Sequence, residues 1–368
     1  MRNILFSSSF GDTRGGGQQS LLLLMKALDR SRFRPFLICP EHGDFVEEAK
    51  ANGVVTAVMR IPPLKRCSLT TVWRLYKYLK DMNIDLVHAD SPGWTMYLGV
   101  AIRLHKKPLI WHVRVGDPDP AWFETMLLAI CSRMIAVSDA VGQRFARFQG
   151  AGKITVIHNA VDLSKFSPDL AGAEDVVARK TPCQLAIGTF GQLVSRKGQE
   201  LLIEAAALAA ARLHQKPLYF IVGQGEESYT TRLRLRAREL GLGECVVFLG
   251  FRSDIARIMA ALDVVILYST FIEGFSRVII EAMASGKPVI ATELGGNVEA
   301  VIHGHNGLLV QPDNNPATLA QAIVDLAEGR EERIRMGRNG RIRAEKLFDL
   351  RNCVARIETV YSDLLVDK

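Results

Sequence analysis

The stretch that decides the fold is Glu273-Gly-Phe-Ser-Arg-Val-Ile-Ile-Glu281, followed at once by Ala-Met-Ala-Ser-Gly-Lys-Pro-Val-Ile-Ala-Thr292. A turn at Gly274 leads into an apolar helix that begins near Ser276, and a buried-type strand follows the helix. The start of such a helix leaves backbone N–H groups unpaired, and the pattern therefore predicts an anion site suited to phosphate. Glu273 lies in the loop beside this site and Glu281 on the second helical turn. One carboxylate can therefore face a sugar and the other the hydroxyls of a nucleotide ribose.

Strands and helices alternate twice along the chain, with a polar stretch rich in turn residues, Asp162–Pro182, between the two runs. The predicted strands are Arg2–Ser7, Arg34–Cys39, Val54–Val58, Asp85–Ala89, Leu109–Val113, Met134–Val137, Ile154–Ile157, Leu185–Phe190, Leu218–Val222, Val246–Leu249, Val264–Leu267, Pro288–Ala291 and Leu308–Val310. Strands spaced by helices of about ten to fifteen residues imply parallel βαβ sheets. We therefore predict two doubly wound α/β domains joined near residue 168, with a ligand in the cleft where strand ends face each other.

The composition is that of an ordinary soluble globular protein. The chain has 368 residues, 48% of them hydrophobic and 23% charged, which is comfortable for two domains. Its apolar run Leu21–Met25 is far too short to span a bilayer, and no secretory signal is visible after Met1. The six cysteines, at positions 39, 67, 131, 183, 245 and 353, are scattered and form no Cys-x-x-Cys pair. This pattern favours free thiols in a reducing cytosol.

The net charge of +7 is unevenly distributed along the chain. Residues 1–168 contain 22 Lys and Arg against 14 Asp and Glu, a net charge of +8, whereas residues 169–368 contain 24 against 25, a net charge of −1. This asymmetry indicates an anionic partner for the first half. The candidates are a membrane surface, a phospholipid-linked acceptor and nucleic acid.

Part of the basic excess lies between Arg60 and Lys80, in a segment with a helical pattern. Apolar residues expected on one face of this helix are Leu69, Val72, Tyr76 and Leu79, and the residues at more polar positions are Arg74, Lys77 and Lys80, with Trp73 nearby. Two interpretations stay open. The helix either packs its apolar stripe in the core with solvated basic residues, or docks on an anionic membrane surface.

The Glu273–Glu281 segment closely resembles the Glu-x7-Glu signature of retaining glycosyltransferases of family 4, which have the GT-B fold. This resemblance implies that Glu273 contacts the transferred sugar and that Glu281 binds the ribose. It covers almost the whole chain and implies an acceptor-binding Rossmann-like domain, 1–168, facing a nucleotide-sugar donor-binding domain, 169–348, across a cleft. The last helix, 349–368, is then expected to cross back to the first domain.

Other motifs of the second half resemble the same family's donor site. Thr189–Gly198 looks like the strand and loop that hold the donor diphosphate, where an Arg and a Lys clamp the phosphates, here Arg196 and Lys197. Such donors suit a departing nucleoside diphosphate, since negative charge grows on its bridging oxygen as the glycosidic bond breaks. The competing interpretation is an exposed basic loop. Ile221–Glu226 resembles the glycine turn that lines the nucleotide, and Gly250–Arg252 the loop whose backbone contacts the base.

Two features of the first half are candidates for the site. His112 ends a predicted strand and matches a family histidine that reaches the sugar end of the donor, although a histidine there is also a common packing residue. The loop Arg14–Gly17 opens a predicted helix, Gln18–Leu28, and its Gly16 either approaches phosphate closely or only makes a tight turn.

The resemblance thus implies four catalytic residues and a larger donor-binding set. The expected catalytic residues are Glu273, His112, Arg196 and Lys197. The expected donor-binding residues are Gly16, Gly191, Arg196, Lys197, Gly223, Phe251, Arg252, Glu273, Gly274, Phe275, Ser276, Arg277 and Glu281. Ser276 stands where the family often has Gly or Pro, and Arg277 after it is expected either near the phosphates or pointing outward. No metal-binding spacing such as His-Glu-x-x-His is present, so no metal or other cofactor is expected.

The sequence is therefore interpreted as a cytoplasmic, metal-independent retaining hexosyltransferase, with the inner face of the membrane as a further candidate location. The expected donor is a UDP-, GDP- or ADP-sugar, and the acceptor a saccharide or lipid-linked molecule in cell-surface polysaccharide or glycolipid synthesis, with no nucleic acid partner. Two alternatives stay open, a nucleotide-sugar 2-epimerase of the same fold and a non-catalytic nucleotide-sugar-binding protein. A dehydrogenase is disfavoured, because no Gly-x-Gly-x-x-Gly follows the first strand of either domain.

Overall fold

The computed structural model describes residues 1–13, 15–63, 68–148, 150–181 and 184–366. They form two α/β units, the first being Met1–Ala160 with Leu350–Lys368 and the second Val161–Asp349. The predicted boundary at residue 168 is wrong by eight residues, because the segment after Ala160 is anchored in the second unit. The N–H of Val161 donates to the carbonyl of Phe348 at 2.9 Å, and the guanidinium of Arg341 donates to the carbonyl of Phe166 at 2.9 Å.

The first unit is built on a sheet of parallel strands in the order β3-β2-β1-β4-β5-β6-β7. The strands of this sheet are β1 Arg2–Ser7, β2 Phe33–Cys39, β3 Val55–Val58, β4 Leu86–Ala89, β5 Leu109–Val113, β6 Arg133–Ala136 and β7 Ile154–Val156. Its described helices are α1 Gly16–Ala27, α2 Asp44–Ala51, α3 Leu69–Asp81, α4 Pro92–Leu104, α5 Ala121–Ile130, α6 Asp139–Gln143 and α15 Leu350–Leu365. The central strands β4 and β5 are buried along their whole length, as expected for parallel strands covered by helices on both faces.

The second unit has the same construction, with parallel strands in the order β10-β9-β8-β11-β12-β13. Its strands are β8 Ala186–Phe190, β9 Leu218–Val222, β10 Val246–Gly250, β11 Val264–Leu267, β12 Val289–Thr292 and β13 Gly307–Val310. Its described helices are α7 Glu174–Val177, α8 Gln199–Ala210, α9 Glu227–Glu239, α10 Ile255–Ala261, α11 Arg277–Ala284, α12 Asn297–Ala300, α13 Pro316–Glu328 and α14 Arg330–Leu347. The two doubly wound parallel sheets predicted from the sequence are thus confirmed.

The strand order of each sheet reverses at one point, which decides where a ligand can approach. The reversal falls between β1 and β4 in the first sheet and between β8 and β11 in the second. Loops that leave the carboxyl ends of two such strands diverge to opposite faces, and the crevice between them is where open α/β sheets bind ligands. The chain therefore offers one such crevice in each unit.

The last helix, α15, packs within the first unit. Tyr361 is fully buried there, and the carboxylate of Glu358 accepts a hydrogen bond from the N–H of Asp29 at 2.8 Å. Val354 and Ile357 join the core that surrounds β1. The C-terminal segment is therefore an integral part of the first unit.

Helix α3 turns a different face to the core from the one the sequence predicted. Its buried residues are Thr71, Leu75 and Leu79, whereas Leu69 is 81% exposed. The hydroxyl of Ser68, the residue before the helix, accepts the N–H of Thr71, and α3 packs against α4 through this inward face. The predicted apolar face was wrong because the apolar residues of α3 are spread over two neighbouring faces of the helix, and the sequence pattern alone does not decide which face is buried. Residues 64–67 of the predicted basic segment lie outside the described residues.

Two further features concern membrane-spanning helices and the cysteines. Within the ranges that the structure describes, no helix combines the length and hydrophobicity needed to cross a bilayer. Of the cysteines there, Cys39, Cys131 and Cys353 are buried free thiols, and Cys245 is a half-buried one. Cys67 and Cys183 lie outside the described residues.

Candidate active site

A lysine and a glutamate meet at the strand-order reversal of the second sheet. Lys197 lies in the loop after β8, and Glu273 in the loop after β11. The Nζ of Lys197 is 2.5 Å from Oε1 of Glu273, and the hydroxyl of Ser269 donates to the same carboxylate oxygen at 2.5 Å. Both charged side chains are mostly buried, so this is a pre-formed charge pair in the crevice where a ligand is expected.

Arg196 lies beside this pair and is held differently. Its carbonyl accepts the N–H of Thr270 at 2.9 Å, which fixes its backbone to the loop after β11. Its guanidinium lies 4.4 Å from the centroid of the Phe271 ring, a cation–π geometry that leaves the residue exposed. The backbone of Arg196 is therefore fixed while its charged end stays accessible to an anion.

Helix α11 carries the second predicted carboxylate, Glu281, and the first residue of the helix, Arg277, forms an ion pair with it. Nη2 of Arg277 is 2.6 Å from Oε1 of Glu281. Nε and Nη1 of Arg277 are buried, and no described residue accepts a hydrogen bond from them. Ser276, which precedes the helix, makes no side-chain cap. Arg277 therefore does not point outward, and its unsatisfied N–H groups are donors that an anionic ligand can use.

Two glycines that the sequence reasoning missed support the loop that holds Glu273. Gly295 has a φ of +52°, and a Cβ at this position would be 2.3 Å from the carbonyl oxygen of Glu273. A Cβ on Gly296 would be 2.2 Å from the carbonyl oxygen of Gly274, and the N–H of Gly296 donates to the carbonyl of Glu273 at 2.9 Å. The Gly-Gly pair after β12 was the signal available in the sequence.

We expect Gly295→Ala to impair activity severalfold, because the added Cβ would displace the backbone carbonyl of Glu273. Gly241→Ala is the matched control, because Gly241 has a similar φ of +67° but open space around its Cβ position. Gly241→Ala should lose about 1–2 kcal/mol of stability, the cost of a left-handed residue with a side chain, and Gly295→Ala should lose more, because its Cβ also meets the carbonyl oxygen of Glu273. Only Gly295→Ala should also lower kcat/KM, measured beside thermal unfolding. Equal activity of the two variants would contradict the supporting role of Gly295.

The glycine turns after β8 and β9 touch each other, and Phe251 and Arg252 follow β10. A Cβ on Gly223, whose φ is +142°, would lie 1.9 Å from the carbonyl oxygen of Gly191, so only glycine fits there. Phe251 is exposed, and Arg252 binds Asp254 and Asp175 at 2.6 and 2.7 Å. The Arg252 side chain therefore anchors its own loop, and the backbone contact to a base stays a prediction.

The remaining residues of the predicted donor loop are Gly274 and Phe275. Gly274 and Phe275 are buried in the turn between Glu273 and α11, and the ring of Phe275 packs against Phe348 with centroids 5.3 Å apart. The second unit thus gathers the predicted loop, helix and carboxylates around one crevice of its own sheet.

In the first unit, His112 belongs to a buried polar cluster at the end of β5. Its Nδ1 is 2.8 Å from Nε2 of His88 on β4 and 3.2 Å from Nη2 of Arg114. Burial, the charge of Arg114 and the neighbouring His88 hold the pKa of His112 well below its usual range. Nε2 of His112 is buried and has no hydrogen-bond partner in the described part of the chain. His112 is therefore a neutral imidazole at neutral pH, with one ring nitrogen unsatisfied.

Asp90, directly after β4, is a further candidate that the sequence reasoning missed. Burial raises the pKa of its carboxyl to about 7, and the charge of Arg114 opposes this rise. Its position at the carboxyl end of a central strand was the available signal.

Gly16 begins helix α1 in the same unit, so the predicted glycine loop is the first turn of a helix. A Cβ at Gly16 would meet nothing within 4 Å, and one at Gly17 would lie 3.7 Å from the side chain of Arg114. The helix start therefore lies beside Arg114 with open space at Gly16. Arg14 lies outside the described residues.

Comparison with known proteins identifies the class of molecule. Residues 14–165 match the family model Glycosyltransferase Family 4, and residues 179–343 match Glycosyl transferases group 1. A putative glycosyltransferase of Bacillus subtilis, YtcC, is 32% identical over 80% of this chain and 73% of its own length. An Escherichia coli enzyme, UDP-Gal:alpha-D-GlcNAc-diphosphoundecaprenol alpha-1,3-galactosyltransferase, is 27% identical over 96% of this chain and 95% of its own.

Solved structures agree with these sequence relatives. The crystal structure of Anabaena HepE in complex with UDP and glucose is 27% identical, with a TM-score of 0.83 over 98% of this chain and all of that one. The parallel-sheet α/β units described above are thus those of a GT-B glycosyltransferase. The chain belongs to the GT4-type glycosyltransferases and is itself a glycosyltransferase.

Proposed function

We propose that this glycosyltransferase transfers a hexose from a UDP-sugar to a lipid-linked saccharide, with retention of configuration and without a catalytic metal. The observation that carries the proposal is the Lys197–Glu273 pair at the strand-order reversal of the second sheet, next to the start of α11. The UDP-bound HepE structures support a uridine nucleotide, and the name of the Escherichia coli relative supports a diphospholipid acceptor.

The charged residues that surround the Lys197–Glu273 pair each have a role in this proposal. Glu281 binds the ribose hydroxyls, and Glu273 contacts the transferred sugar. Lys197, Arg196 and the unsatisfied N–H groups of Arg277 bind the diphosphate and stabilise the charge that develops on it as the glycosidic bond breaks. In the first unit, His112 donates a hydrogen bond to the sugar. The acceptor hydroxyl attacks the same face that the diphosphate leaves, and a phosphate oxygen takes its proton.

The test of function is transfer by the purified full-length chain, supplied in turn with UDP-, GDP- and ADP-hexoses and a lipid-diphosphate saccharide. Product is expected only with a UDP-sugar and only when acceptor is present, with the anomeric configuration of the donor retained by NMR. Conversion of the donor without acceptor would favour the 2-epimerase alternative, and an inverted product would refute retention.

We expect this activity to survive metal removal, because lysine and arginine donors supply the positive charge at the diphosphate. Initial rates measured after extensive dialysis against EDTA should equal those with added Mg²⁺ or Mn²⁺. A rate that falls to background with EDTA and returns only with a divalent ion would contradict the metal-independent assignment.

We further propose that helix α3 docks the enzyme on the anionic surface of the membrane that holds its acceptor. Leu69 and Trp73 are one helical turn apart and are 81% and 63% exposed, and Lys77 and Lys80 continue the same exposed face. An exposed apolar tip followed by basic residues is typical of interfacial helices. The first unit also has 24 Lys and Arg against 16 Asp and Glu, so charge attraction favours its approach.

Binding to vesicles should reveal this surface. The chain should co-sediment with anionic phosphatidylglycerol vesicles at low salt but not with neutral ones. Trp73→Ala and Lys77→Ala should each weaken binding, the lysine change by about fivefold, since one basic residue near such a surface contributes about 1 kcal/mol. Trp122→Ala is the matched control, because Trp122 is 70% exposed on α5 of the same unit. Binding that ignores lipid charge, or that Trp122→Ala weakens equally, would contradict this docking face.

A further inference from the structure

A chain of buried polar side chains runs from the last helix of the protein to His112. The hydroxyl of Tyr361 on α15 is 2.6 Å from Nδ1 of His88 on β4. Nε2 of His88 is 2.8 Å from Nδ1 of His112 on β5, and Nη2 of Arg114 reaches the same nitrogen at 3.2 Å. The three rings are at most 3% exposed. Side chains so far apart in sequence and so fully enclosed can order one another.

The positions of the protons in this hydrogen-bonded cluster follow from Arg114, which contacts Nδ1 of His112. A guanidinium only donates, so Nδ1 of His112 must be an acceptor, and a neutral His112 carries its proton on Nε2. His88 contacts the same Nδ1 and must therefore donate from its Nε2, which makes its Nδ1 an acceptor. The hydroxyl of Tyr361 then donates to His88. When both imidazoles are neutral, only this arrangement of protons satisfies all these contacts.

The neutral state that this argument requires is also the one that burial favours. Burial and the charge of Arg114 hold the pKa of His88, like that of His112, well below its usual range. The proton on Nε2 of His112 then belongs to a buried donor with no partner among the described residues. A buried donor left unsatisfied is destabilising, so this one is set up for an acceptor that arrives with the substrate.

We infer that His88, Arg114 and Tyr361 are positioning residues that hold His112 in the Nε2–H tautomer, so that His112 meets the sugar substrate only as a hydrogen-bond donor. This inference rests on the proposed role of His112 at the sugar. It adds that His112 neither abstracts a proton nor carries charge during transfer, since its remaining nitrogen is already occupied by two donors. The partner atom on the substrate is an oxygen with an available lone pair.

The tautomer can be measured without any assay of activity. Long-range ¹H–¹⁵N correlation spectra of ¹⁵N-histidine-labelled full-length protein at pH 7 distinguish a protonated from an unprotonated ring nitrogen. The signals are assigned by their loss in His112→Gln and His88→Gln. We expect both histidines to be neutral and protonated on Nε2. A proton on Nδ1 of His112, or an imidazolium, would overturn the inference whatever the reaction proves to be.

Kinetics then test the positioning role. His88→Leu and Tyr361→Phe should each lower kcat by about threefold to tenfold, the effect of losing one neutral hydrogen bond, with KM for the donor unchanged. His88→Gln should restore most of the rate, because its amide can again donate to His112. Tyr219→Phe is the matched control, since it removes a buried hydroxyl that has no partner in the described residues.

The outcomes separate the inference from the proposed function. If His112→Ala leaves turnover unchanged, the role of His112 in transfer is wrong, while the spectra still decide its tautomer. If His112→Ala is impaired but folded His88→Leu is not, or if His88→Gln fares no better than His88→Leu, the positioning role is wrong. A loss caused only by unfolding would appear as a lowered Tm, and Tyr361→Phe, which keeps the ring, then decides.

Discussion

Replacing Lys197 by methionine is expected to lower the rate of sugar transfer by about a hundredfold or more. Methionine keeps much of the side chain's length but removes the charge that lies 2.5 Å from Glu273. The diphosphate then leaves without one of its cationic donors, and Glu273 becomes a mostly buried carboxylate whose remaining described partner is the hydroxyl of Ser269. The rate is measured as kcat at saturating donor.

Lys180→Met provides the matched control for Lys197→Met. Lys180 forms a comparable half-buried ion pair in the same unit, with Nζ 2.8 Å from Asp263, outside the predicted site. This control should change stability without changing kcat. A rate for Lys197→Met within a few-fold of the wild type would contradict the catalytic assignment.

The Lys197–Glu273 pair is suited to a double-mutant cycle. If Lys197 and Glu273 act as a unit, the variant carrying both Lys197→Met and Glu273→Gln should be about as slow as the slower single variant. Multiplicative losses in the double variant would show that the two side chains contribute independently. In that case the contact between Lys197 and Glu273 does not itself contribute to the rate.

The fold could be predicted from this sequence because parallel strands buried on both faces are continuous apolar runs. Four strands are predicted and observed with the same bounds, namely Arg2–Ser7, Leu109–Val113, Leu218–Val222 and Val264–Leu267, and the other strands differ by one residue at one or both ends. The orientation of α3 could not be predicted, because Leu69 and Leu75 are equally apolar and only packing against α4 decides which is buried.

The site could be predicted only as far as local spacing reaches. The separation of Glu273 from Glu281 is local, so the loop and helix that carry them follow from the sequence. The contact of Lys197 with Glu273 joins residues 76 positions apart, and that of His88 with Tyr361 joins residues 273 positions apart. Such contacts depend on strand order, which residue spacing does not encode. The buried pair of Arg277 with Glu281 was missed for another reason, since a helical i,i+4 pair is usually solvated.

Removing the carboxylate of Glu281 is expected to weaken binding of the nucleotide donor by tenfold or more. A hydrogen bond to a charged group contributes about 1.5–3 kcal/mol, and the proposed ribose contact is of this kind. Calorimetric titration of Glu281→Ala with UDP measures the loss directly. The wild type should bind UDP more tightly than 2′-deoxy-UDP, and the variant should bind the two alike, because the partner of the missing hydroxyl is gone.

Glu345→Ala separates this effect from the loss of a helical ion pair. Arg341 and Glu345 on α14 repeat the geometry of Arg277 and Glu281, four residues apart on one helix with a 2.6 Å contact. Glu345→Ala removes the same interaction and should leave the affinity for UDP unchanged. Because Arg277 keeps its positive charge in Glu281→Ala, the variant should retain part of its affinity for the diphosphate. If Glu281→Ala still discriminates between UDP and 2′-deoxy-UDP as the wild type does, Glu281 does not bind the ribose.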